Sequence, residues 1–126
     1  MGRRSTVRTR AAGCSCPLER RPLLSLDEAA SLAHLFKVLA NPTRLRLLHA
    51  LIQGGEMCVS DLARAVGMKP QAVSNQLQRL VDRGILGSRR DGNKVYYRIE
   101  DRCVPILLDK GICLIECHPN HGRGRG

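Results

Sequence analysis

Six cysteines are spread through this 126-residue chain, at Cys14, Cys16, Cys58, Cys103, Cys113 and Cys117. Thiolates are soft donors, so a cluster of them selects thiophilic ions over hard cations such as magnesium or calcium. Two of the spacings bring sulfurs together. In an extended arm Cys14 and Cys16 point to the same side, and on a helix Cys113 and Cys117, four residues apart, share one face beside His118. Cys103 lies about 21 Å from Cys117 along one helix, so those two share an ion only across two copies of the chain. Cysteine is also a small hydrophobe, and for Cys103 and Cys113 the packing role stands level with ligation. Cys14 and Cys16 have nothing apolar around them, which favours a chemical role. His34 and His49 sit beside apolar helical residues and read as packed or solvated.

A second set of residues suits a polyanion. The formal charge is +10, from 21 Lys+Arg against 11 Asp+Glu, and such an excess favours nucleic acid as partner. Its placement divides the chain. Arg3, Arg4, Arg8, Arg10, Arg20 and Arg21 against Glu19 put +5 on residues 1–22, and Arg123 and Arg125 add +2 at the other end. Those segments attract phosphate without reading sequence. The share that can be aimed lies in the middle: between about Pro70 and Arg83, Gln71, Asn75, Gln78 and Arg79 fall opposite Val73, Leu77 and Leu80 on a helical wheel. Amide side chains pair with adenine edges in a major groove, and Arg79 suits a guanine or a phosphate. Arg89, Arg90 and Lys94 flank a turn from which they can reach the neighbouring backbone or the minor groove.

The elements that position these residues follow from period and punctuation. Residues 1–22 read as a flexible basic arm, 23–117 as one folded domain and 118–126 as a flexible tail. Ser25 caps a first helix whose Leu32, Leu35, Phe36 and Leu39 recur at three- and four-residue spacing. Asn41-Pro42 ends it and starts a second helix, with a buried stripe of Leu45, Leu48 and Ile52 and a stop at Gly54-Gly55. A short third helix from about Cys58 to Val66 turns Val59, Leu62 and Val66 inward and closes at Gly67. After the amide-rich fourth helix, strands Leu86–Arg90 and Lys94–Ile99 flank Asp91-Gly92-Asn93 in a hairpin that turns Val95, Tyr97 and Ile99 inward. A final helix from about Asp101 to Glu116 buries Val104, Leu107, Leu108 and Ile112. The fold class expected is mainly α with a β-hairpin wing, a winged helix-turn-helix.

From about Leu32 to Ile99 the chain resembles the ArsR/SmtB family of metal-responsive bacterial repressors. The resemblance is carried by FKVLANPTRLRLLHAL, by GGEMCVSDLARAVGMKPQAVSNQLQRLVDRGIL and by GNKVYYRI. It implies a homodimer, joined through the first and last helices, that holds double-stranded operator DNA until a bound metal weakens the complex. It places Lys69, Gln71, Ser74, Asn75 and Gln78 on the recognition helix. Thiolate-sensing members carry Cys-Val-Cys in the third helix, and here the segment reads Cys58-Val59-Ser60, one thiol short. Cys14 and Cys16 offer replacements, giving a three-sulfur metal site of Cys14, Cys16 and Cys58, with Cys58 near a helix N-terminus that favours the thiolate. Such a site suits mercury or arsenic, with a lean to mercury; cadmium, lead and zinc follow. Where zinc-sensing members use Asp-x-His and His-x-x-Glu in the last helix, this chain has Asp101-Arg102-Cys103 and Cys113-Leu114-Ile115-Glu116-Cys117-His118. A second site of Cys103, Cys113, Cys117 and His118, with His121 close by, follows from that comparison.

Other classes are weaker. No run approaches the roughly 18 apolar residues of a membrane span. The arginine-rich start lacks the apolar run and cleavage site of a secretory signal, so the expected location is the cytoplasm, where disulfide frameworks are rare. No nucleophile–base pairing, phosphate loop or metalloprotease motif marks an enzyme or a small organic substrate, and a metal carrier has no use for a wing. A redox switch pairing Cys14 or Cys16 with Cys58 remains the alternative within the DNA-binding class.

Overall fold

Ser25 opens the first long helix with a reciprocal cap. Its hydroxyl accepts from the Glu28 N–H at 3.1 Å, while the Glu28 carboxylate accepts from the Ser25 N–H at 2.9 Å. That helix, α1, spans Leu26–Leu39. The Asn41 side-chain oxygen Oδ1 accepts from the Arg44 N–H at 3.1 Å and Pro42 takes the first helical position of α2, Pro42–Gly54. There follow β1 (Glu56–Cys58), α3 (Val59–Val66), α4 (Pro70–Asp82), β2 (Leu86–Asp91), β3 (Lys94–Ile99) and α5 (Cys103–Cys117). This computed structural model describes residues 17–117, which begin with a single 3-10 turn at Leu18–Arg20. The expectations for Cys14, Cys16, His118 and His121, for residues 1–16 of the arm and for the tail, lie outside the described residues.

The strands form one antiparallel sheet in the order β1-β3-β2. The hairpin register runs from Leu86 opposite Ile99 to Asp91 opposite Lys94, so only Gly92 and Asn93 make the turn. That is one residue tighter than the Asp91-Gly92-Asn93 loop read from the sequence. Gly92 permits it, with a φ of +68° that a side chain would resist. The strand β1 was not foreseen. It is three residues long, too short to show a period, and forms because the free edge of β3 offers backbone groups that Glu56 to Cys58 can satisfy.

The core is aliphatic, with Leu47, Leu48 and Leu51 of α2 set against Leu62 of α3 and Leu77 and Leu80 of α4. The expected stripe of α2 is therefore corrected. Leu48 is buried, but Leu45 and Ile52 are exposed, and Leu47 and Leu51 take their places. Three- and four-residue spacing allowed either set, and docking on α3, α4 and the sheet selected the one that faces them. Leu32 and Phe36 of α1 and Ile112 of α5 are likewise exposed rather than buried, Phe36 at 47% and Ile112 at 53%. Within one chain only Leu39 of α1 and Val104 of α5 are fully enclosed. Arg44 braces the centre, donating from Nε to the Gln76 side-chain oxygen Oε1 at 2.8 Å and from Nη1 to the Val38 backbone carbonyl, which ties the end of α1 to α4. Among the described residues no helix is long and apolar enough to cross a membrane.

Candidate nucleic-acid interface and thiol sites

Two helices and a sharp turn build the presenting unit. Gly67 closes α3 in the left-handed region, φ +70° and ψ +39°, and the Met68 N–H donates to the Ala63 carbonyl at 3.0 Å. Lys69 sits at the N-cap of α4 and Pro70 at its first position. From there Val73, Leu77 and Leu80 are fully buried, each contributing about 1.5–3 kcal/mol of apolar burial. Their enclosure fixes which way the helix turns. Lys69, Gln71, Asn75, Gln78 and Arg79 are consequently exposed, and Ser74 is half-buried.

That exposed face is lightly self-paired. Gln71 Nε2 donates to Asn75 Oδ1 at 3.3 Å and Gln78 Nε2 to Asp82 Oδ1 at 2.9 Å. Solvent-exposed bonds of this kind exchange for partners of equal quality at little net cost, so the amides remain available to base edges. Arg79 forms no ion pair among the described residues.

On the wing the three basic residues differ. Arg90 and Lys94 are exposed at the turn and form no ion pair among the described residues. Arg89 is engaged. Its Nε and Nη2 donate to the two carboxylate oxygens of Glu56 at 2.9 and 2.8 Å, its guanidinium lies 4.9 Å from the centre of the Tyr96 ring, and Asp91 stands 3.8 Å away. Hydrogen bonding to Arg89 holds the Glu56 carboxyl below its ordinary value despite partial burial, with the charges of Arg89 and Arg98 adding to the effect. The same bond raises Arg89. Glu56 carried no signal in the sequence, because its partner is 33 residues away and on the opposite edge of the sheet.

The described thiols fall into two settings. Cys58 is buried, at the last position of β1 and the N-cap of α3, opposite Tyr96 in the strand register. Cys113 and Cys117 are exposed free thiols on one face of α5 with their sulfurs 3.4 Å apart. The hydrogen bond with Cys113 pushes the Cys117 thiol up from its ordinary value, and partial desolvation and the Glu116 charge push it the same way. Cys103 is half-buried in the first turn of α5, where its N–H donates to Asp101 Oδ1 at 2.8 Å. Among the described residues no three His, Cys, Asp or Glu side chains converge in one chain closely enough to hold an ion.

Comparisons with known proteins converge on one group. The model of the family described as "Bacterial regulatory protein, arsR family" matches residues 41–88. The chain is 44% identical over 85 residues to a transcriptional repressor SmtB homolog of Synechocystis, an alignment covering 68% of this chain and 64% of that protein. It is 59% identical to the crystal structure of AntR, described as an antimony-specific transcriptional repressor, with a TM-score of 0.72 over 81% of this chain and 96% of that one. It also resembles, at 34% identity and a TM-score of 0.66, a homodimeric winged helix-turn-helix domain of Mycobacterium bovis, over 84% of this chain and all of that one.

Proposed function

The chain belongs to the arsR family of bacterial regulatory proteins, winged helix-turn-helix DNA-binding regulators and not enzymes, and from that premise we propose that it is a repressor that releases its operator when a soft ion binds its cysteines. The observation that carries this reading is the orientation of α4. Burial of Val73, Leu77 and Leu80 leaves Lys69, Gln71, Asn75, Gln78 and Arg79 facing outward, with Ser74 half-buried, and Arg90 and Lys94 extend the basic surface from the wing. A homodimer through α1 and α5 would cover Phe36, Ile106, Ile112, Leu114 and Ile115, all exposed in a single chain. Two copies of α4 would then read two half-sites of double-stranded operator DNA. Its place of action is the cytoplasm.

The effector is a thiophilic ion coordinated by thiolate sulfurs. The sequence leans to mercury; 59% identity to a repressor described as antimony-specific moves trivalent antimony, and arsenic with it, to the front. Mercury, cadmium, lead and zinc stand behind them. For the site, the α5 pair is favoured by its exposed sulfurs 3.4 Å apart, with Cys103 of a second subunit or His118 completing the set. The arm site of Cys14, Cys16 and Cys58 is the second reading, supported by the position of Cys58 between the wing sheet and α3.

A gel-shift assay on the promoter of its own gene, titrated with Sb(III), As(III), Hg(II), Cd(II), Pb(II) and Zn(II), tests both. Release by a thiophilic ion is expected, strongest with Sb(III), and Cys113→Ser with Cys117→Ser should abolish it while leaving DNA binding intact. Loss with Cys58→Ser alone would hand the site to the arm. Release by peroxide in metal-free buffer would replace the ion by a redox signal.

A further inference from the structure

Arg89 lies on the wing, yet its guanidinium reaches back across the middle strand to the far edge of the sheet. We propose that Glu56 acts as an internal substitute for a DNA phosphate: it fills the fork of Arg89, keeps that cation off the operator backbone and so limits how tightly the wing holds DNA. The proposal rests on the DNA-binding reading above and assigns to Glu56 a role in setting operator affinity.

Geometry carries it. A guanidinium meets a carboxylate or a phosphate with the same two parallel N–H bonds, and Glu56 supplies both acceptors, at 2.8 and 2.9 Å. Tyr96, on the strand between them, lies against the guanidinium, and Asp91 offers a second anion. Three groups therefore converge on one cation, while Arg90 and Lys94 beside it have no carboxylate partner among the described residues. The register sets the two arginines apart: Arg89 lies opposite Tyr96 and Arg90 opposite Val95, so they project from opposite faces of the sheet. The pair is also reachable, since the Arg89 and Glu56 side chains keep 48% and 32% of their exposure. A clamp this exposed is weak enough for its removal to be read as a gain in binding.

The test uses the full-length chain and its own promoter DNA, with affinity measured across a salt series. E56Q keeps the shape of the side chain and removes its charge. It should raise affinity about two- to five-fold at low salt and steepen the plot of log affinity against log salt by about 0.9, the signature of one more phosphate contact. R89Q alone should leave the slope at its original value, E56Q with R89Q should lose the steepening, and R90Q should make the slope shallower by about 0.9. Weakened or unchanged binding by a folded E56Q would overturn the proposal, as would a shallower slope for R89Q. Were E56Q to melt early, the R89Q slope alone would decide. No binding of promoter DNA by the unaltered chain would overturn the repressor reading itself and Glu56's role with it.

Discussion

Helices α4 and α5 are close in length, 13 and 15 residues, and both carry regularly spaced aliphatic residues, yet the chain treats them differently. Val73, Leu77 and Leu80 of α4 are completely enclosed, whereas Ile106, Ile112, Leu114 and Ile115 of α5 are more than half exposed. The first helix satisfies its apolar face inside its own chain. The second leaves that face for another surface, and α1, with Leu32 and Phe36 exposed, does the same. The polar face of α4 is thus set by folding within one chain, while the apolar face of the thiol-bearing helix finds no cover within it. Under the proposed function that division would give an effector its leverage: an ion at α5 would bias the relation between subunits, and DNA, sensing that relation, would weaken ion binding by the same factor.

The contrast can be broken most forcefully from the α4 side. Leu77→Ala should cost about 2–5 kcal/mol of folding stability, measured by urea denaturation, at every protein concentration. A cost that vanished on dilution would mean that α4 also relies on the second subunit. From the α5 side, Ile112→Asp should leave helix content intact by circular dichroism and dissociate the dimer in sedimentation. It should also lower operator affinity about a hundredfold through lost bivalency. A variant that stayed dimeric would place the interface elsewhere.

A smaller effect sharpens the thiol chemistry. The hydrogen bond with Cys113 pushes the Cys117 thiol up, so under the proposed function capture of Cd(II) or Hg(II) there would have to displace its proton. Affinity for a divalent ion should therefore rise with pH until that thiol ionises. Trihydroxy antimony carries the hydroxides that take the thiol protons away as water, so its affinity should change little over the same range. Isothermal titration at several pH values separates the two classes, and a flat profile for Cd(II) would remove Cys117 from the ligands.

Much of this was legible in the residues. Ser25, Asn41-Pro42 and Gly67 marked helix ends correctly because caps are local, fixed by the Ser25 and Asn41 side chains three residues from the N–H groups they satisfy and by the left-handed backbone of Gly67. The polar face of α4 and the hairpin were equally readable, since each depends on a period within a few residues. The stripe of α2 was misread between Leu45/Ile52 and Leu47/Leu51, because a helix rich in leucine offers more than one apolar face and only its neighbours choose.

The sequence by itself determined the order of the helices and the hairpin, the caps and the polar face of α4, all consequences of residue type and short-range spacing, and its cysteines supplied the donors on which the soft-ion proposal rests. Tertiary structure alone decided the rest. Pairing with β3 created β1, and the sheet brought Glu56 to Arg89 across 33 residues. Packing buried Cys58 while leaving Cys113 and Cys117 exposed. These outcomes depend on contacts between distant segments, whose partners no local pattern names.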